Sequence, residues 1–111
     1  MVALGLACGA SDQLDRQILE LIAERLRLVM QVGEVKRSLG LDVYDPAREK
    51  DLLERVARAA PEPITAAMAQ RLFRCIIEES RGLEQRHVSE LKIAELEVSR
   101  PRGSEAKDPE P

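Results

Sequence analysis

The stretch Leu14-Asp15-Arg16-Gln17-Ile18-Leu19-Glu20-Leu21-Ile22-Ala23-Glu24-Arg25-Leu26-Arg27-Leu28-Val29-Met30-Gln31-Val32-Gly33-Glu34-Val35-Lys36 decides the fold. Leu14, Ile18, Leu21, Ile22, Leu28, Val29 and Val32 recur at helical spacing, so the segment reads as the apolar stripe of one long helix. Arg25 and Lys36 fall on that same face. Eleven residues is almost three full turns at roughly 100° per residue, which sets the two cations about 16 Å apart along one side. Each could snorkel from the edge of the stripe and pair with a neighbouring acid. A bundle whose interior holds an anionic ligand is the alternative that uses both.

Outward from this stretch the chain divides readily. Residues 1–10 form a Gly- and Ala-rich lead-in whose joining to the first helix the sequence leaves open, with partial order expected, and Ser11 with Asp12 offers an N-cap and an acidic first turn. Gly33 is tolerable inside the helix at about 1 kcal/mol, and Gly40 is the natural stop, giving a helix of some 27 residues, roughly 40 Å long. Asp45-Pro46 reads as an N-cap followed by proline at the first helical position, starting a second helix that runs to about Ala59 with Leu52, Leu53 and Val56 inward. Pro61-Glu62-Pro63 ends it. A third helix is expected from about Ile64 or Thr65 to Val98, carrying Met68, Leu72, Phe73, Ile76, Ile77, Leu83 and Val88. Residues 99–111 read as a disordered polar tail, which leaves 11–98 as one helical domain.

Composition supports an all-α fold. The 111 residues are 44% hydrophobic and 33% charged, but only Tyr44 and Phe73 are aromatic, so the core has to come from Leu, Ile, Val, Ala and Met. A net charge of −3, with no basic stripe interleaved with aromatics, argues against nucleic acid. No run approaches the roughly 20 apolar residues that span a bilayer. Leu6-Ala7-Cys8-Gly9 is similar to a lipoprotein cleavage box, yet it lacks a basic segment before it and a long enough apolar run. Cys8, Cys75 and the single His87 are too few for a His/Cys metal site, and two unpaired thiols suit the cytoplasm. So small a chain with so long a helix is expected to bury surface in an oligomer.

Three polar groups break the apolar pattern: Arg25 and Lys36; Asp45, Arg48 and Glu49 around the start of the second helix; Ser80 and Glu84, four apart on the inner face of the third. Singly, each has a structural explanation in capping, packing or solvation. Together they put cations, acids and a hydroxyl into one helical core, a costly arrangement without a ligand.

The order of motifs resembles the all-helical chorismate mutase family. The matching blocks are Leu14-Asp15-x-x-Ile18-Leu19-x-Leu21-Ile22-Ala23-Glu24-Arg25, Val32-Gly33-x-Val35-Lys36, Val43-Tyr44-Asp45-Pro46-x-Arg48-Glu49 and Leu72-Phe73-x-x-Ile76-Ile77-Glu78-x-Ser80, within about residues 12–88. The resemblance implies three helices per chain in an intertwined homodimeric six-helix bundle, with helix one spanning both subunits. It also implies the Claisen rearrangement of chorismate to prephenate, toward phenylalanine and tyrosine, without a cofactor. By position, Arg25 and Arg48 would grip carboxylates, Ser80 would add a hydrogen bond, and Lys36 would donate to the breaking ether oxygen. Glu49 would take the ring hydroxyl beside the Asp45 backbone. An aromatic-pathway enzyme is a conceivable partner.

Two positions depart from the family pattern. Cys8 stands where the family carries an arginine that reaches into the partner's site, so weak activity is expected. Glu84 stands where many members have glutamine, and a carboxyl group must hold a proton to donate. Two alternatives stay open: a non-catalytic or regulatory dimerisation module, favoured by Cys8, and an isochorismate-pyruvate lyase, which the Arg48-Glu49 pair and Ser80 fit less well.

Overall fold

The computed structural model describes residues 3–99, and three helices account for most of them: α1 over Leu4–Leu39, α2 over Pro46–Ala59 and α3 over Ala66–Ser99. The expected disordered tail, apart from Ser99 at the end of α3, lies outside the described residues.

Local signals set most of the boundaries. Gly40 takes the left-handed conformation at φ 72°, and the amides of Gly40 and Leu41 donate to the carbonyls of Arg37 and Lys36. This closure satisfies carbonyls that the end of α1 leaves unpaired. Asp45 caps α2, its side chain accepting the Arg48 amide at 3.2 Å, with Pro46 at the first helical position. Thr65 does the same for α3, accepting the Met68 amide at 3.1 Å.

The start of α1 differs from the sequence reading. Helix begins at Leu4 rather than near Ser11, and its N-cap, Ala3, makes no side-chain cap. Leu6, Ala7 and Ala10 favour helix, and two isolated glycines, Gly5 and Gly9, cost only about 1 kcal/mol each against Ala. Nothing between Leu4 and Ser11 forces a stop. At 36 residues α1 is about 54 Å long.

Both α1 and α2 pack on α3, and they do not pack on each other. Contacts from Arg25 to Ser80 and from Arg37 to Glu95 run in the same direction along both helices, so α1 and α3 are parallel. Glu49 meets Arg81 while Leu53 meets Gln70, so α2 runs antiparallel to α3. A gap is left between α1 and α2, floored by α3.

The single chain hides little of its apolar surface. Ala69, Ile77 and Val88 are the buried hydrophobes, and Gly33 is buried against α3. Every described residue up to Leu21 is exposed. Leu14, Ile18, Leu21 and Leu28 from the stripe are each more than half exposed, as is Leu72 of α3, which sequence periodicity places inward. The radius of gyration is 21.1 Å, against about 13 Å for a compact domain of 100 residues. Among the described residues no helix is long and apolar enough to cross a membrane.

Candidate active site

The gap between α1 and α2 is the site. From α1 it receives Arg25, Val29, Val32 and Lys36, spaced by three or four residues and therefore on one face. Val43 and Asp45 come from the connecting loop, Arg48, Glu49 and Leu52 from the start of α2, and Ile77, Ser80, Arg81 and Glu84 from α3. The empty volume is about 560 Å³, its open mouth included. All seven residues singled out from the sequence line this one cavity: Arg25, Lys36, Asp45, Arg48, Glu49, Ser80 and Glu84. Asp45 and Arg48 stand exposed at its rim; Ser80 and Glu84 are buried at its floor.

The polar contacts are ordered. Arg25 Nη1 donates to Ser80 Oγ at 2.7 Å, and Ser80 Oγ donates to the Ile76 carbonyl at 2.6 Å. The serine thus anchors one arm of the guanidinium to α3. Burial, and then the nearby positive charge of Arg48, push the Arg25 guanidinium below its ordinary value. Two like charges that feel each other across a gap are what a polycarboxylate would relieve.

Lys36 Nζ donates to the Val43 carbonyl at 3.0 Å and lies 3.4 Å from Glu84 Oε2. One bond fixes the loop, and the other contact turns the ammonium toward the floor. Glu84 Oε2 is buried with no hydrogen-bond partner. The Lys36 ammonium offsets its charge, and in a cavity wall an oxygen without a hydrogen bond marks a position where a ligand group can bind. Glu84 reaches this place only because position 33 lacks a side chain. A Cβ on Gly33 would stand 2.9 Å from Glu84 Cγ and 3.1 Å from Val88 Cγ2.

Sequence reasoning missed Arg81. It shares a face with Ile77 and Glu84, four residues before and three after. Its Nη1 lies 3.5 Å from Glu49 Oε1, and its guanidinium carbon sits 4.7 Å from the centre of the Tyr44 ring.

The chain has known relatives in sequence and in fold. The family model of chorismate mutase type II matches residues 8–85. The chain belongs to that family. A chorismate mutase from Methanocaldococcus jannaschii is 34% identical over 80 residues, covering 71% of this chain and 81% of the relative. Chorismate mutase from Thermus thermophilus, in its form II structure, superposes with a TM-score of 0.72 at 35% identity, covering 75% of this chain and 94% of that one. The bifunctional chorismate mutase/prephenate dehydratase of Escherichia coli is 36% identical over 98 residues. That match covers 82% of this chain but only 25% of the bifunctional protein, so the similarity is to one part of it.

Gly33→Ala tests the packing that seats Glu84 in this chorismate mutase family member. Overpacking at this contact should destabilise the protein by about 1–3 kcal/mol in chemical unfolding. Adding Glu84→Ala to Gly33→Ala should recover part of the loss, because it removes the closer of the two clashing side chains. Strict additivity of the two substitutions would show that they do not meet.

Proposed function

We propose that this chain is a chorismate mutase that converts chorismate to prephenate in the gap between α1 and α2, working as an intertwined homodimer. The observation that carries this reading is the convergence of Arg25, Lys36, Arg48, Ser80 and Glu84 on one cavity in a chain of this family.

The reaction is a pericyclic Claisen rearrangement, and it needs no nucleophile and no group carrier. An enzyme accelerates it by holding the dianionic substrate folded and by stabilising negative charge that builds on the breaking ether oxygen. Arg25 and Arg48 flank the gap and suit two carboxylates, because a guanidinium can grip each one with two donors. Ser80 already positions Arg25 and can turn its hydroxyl toward a carboxylate. Lys36 is the donor for the ether oxygen, held by the Val43 carbonyl and aimed at the cavity floor. Glu84 lies beside Lys36 at the same place, where a side chain with a donor would reach the same oxygen. Glu49 takes the ring hydroxyl beside Asp45.

What the chain leaves uncovered supports the dimer. Residues 3–21 touch nothing that hides them, and their apolar stripe continues into the site-bearing half of α1. A second copy laid along that stripe covers it and brings its own arm, with Cys8, toward this site. Cys8 and Cys75 are both free, as suits a cytoplasmic protein.

A continuous assay for prephenate formation is the direct test, with Lys36→Met expected to lower kcat about 10²–10³-fold. Tight binding of a bicyclic dicarboxylate transition-state mimic without turnover would instead favour the non-catalytic module. Glu84→Gln should raise kcat, since the amide can donate to the ether oxygen where a carboxylate cannot; an unchanged or lowered kcat would remove Glu84 from that role. Cys8→Arg should raise kcat/KM about tenfold or more by adding a charge-assisted contact to one carboxylate; no gain would show that the arm does not reach the site.

A further inference from the structure

Arg81 is the fourth cation on the cavity wall, and the roles above do not use it. It projects from α3 between the two buried polar residues of the floor, Ser80 and Glu84. Its guanidinium is held on two sides. Glu49 Oε1, from the first turn of α2, lies 3.5 Å from Nη1, and the Tyr44 ring, from the loop before α2, lies 4.7 Å from the guanidinium carbon. Arg81 therefore joins three separate pieces of chain at the mouth of the site.

Stability does not account for this arrangement. The Arg81–Glu49 pair is 31% and 25% exposed, the setting in which an ion pair contributes little to folding. Placing a further cation beside Arg25, Lys36 and Arg48 adds repulsion. What the contacts do supply is orientation: a planar guanidinium stacked on an aromatic face loses its rotational freedom and fixes the carboxylate it meets.

We propose that Arg81 is a positioning residue that sets specificity for the substrate's ring hydroxyl, by pairing with Glu49 and stacking on Tyr44. It holds Glu49 Oε1, which leaves the other carboxylate oxygen available to accept from that hydroxyl. With Arg81 in place, Glu49 is fixed before the substrate arrives. Without it, the carboxylate swings among rotamers and the hydroxyl meets a mobile acceptor. The inference rests on the mutase reading of this site.

The test uses the whole chain and two competitive inhibitors: a bicyclic dicarboxylate mimic of the transition state with its ring hydroxyl, and the same diacid without it. Arg81→Met is expected to weaken the hydroxyl-bearing mimic about tenfold and the other less than about twofold. Arg81→Lys should restore part of the difference, since it keeps the charge and loses the planar stack. Tyr44→Ala should show the same selective loss at smaller amplitude. Combined with Glu49→Gln, Arg81→Met should add nothing. Melting curves for each variant separate these effects from unfolding. Equal weakening of both mimics by Arg81→Met, or full additivity with Glu49→Gln, overturns the proposal. If the unsubstituted chain binds both mimics and turns over chorismate, that result condemns Arg81 alone; a chain that binds neither mimic condemns the mutase reading together with it.

Discussion

Everything at the candidate site depends on α3 holding α1 and α2 apart. Because both helices lie on α3 and not on each other, the chain cannot close the space between them. Three-helix packing usually fills such a space with side chains of all three elements. Here the facing positions include Arg25 and Lys36 on one side and Arg48 and Glu49 on the other. Mutual repulsion between Arg25 and Arg48 resists collapse of the gap, and the pull of Ser80 on Arg25 directs that guanidinium to the floor. The cavity is a consequence of charge as much as of shape.

The loop between α1 and α2 shows how economically the site is assembled. Gly40 reverses the chain, and within five residues Val43 offers a carbonyl to Lys36, Tyr44 a ring to Arg81, and Asp45 a cap to α2. A single short connection thereby couples a cation of α1, a cation of α3 and the first turn of α2. Lengthening it would separate three contacts at once. Loops that carry function on a rigid scaffold behave in this way, with the scaffold setting distance and the loop setting direction.

Much of this was legible in the sequence, and the reasons are local. Asp45-Pro46 and Pro61 bound α2 because capping and the missing proline amide act over a few residues, and the helix occupies Pro46–Ala59 as read. Arg25, Lys36, Ser80 and Glu84 could be found because polar residues on an apolar stripe break a periodicity that is visible without coordinates. The start of α1 could not be placed, since Leu6, Ala7 and Ala10 favour helix as readily as loop and no breaker separates them from Ser11. Arg81 escaped for a different reason. Its neighbours on α3 include Glu78, Glu79 and Arg86, so its charge stands out from nothing, and only the position of Tyr44 and Glu49 in space distinguishes it.

The long bare arm of α1 has a consequence beyond catalysis. In the proposed assembly, each chain lays several turns of helix on its neighbour and receives the same in return. The hydrophobic cover that one copy lacks then arrives only by encounter, so the native state is reached in a bimolecular step and its occupancy obeys mass action. Dilution would work on such a molecule as a mild denaturant, and the cell's expression level would become part of what keeps it folded.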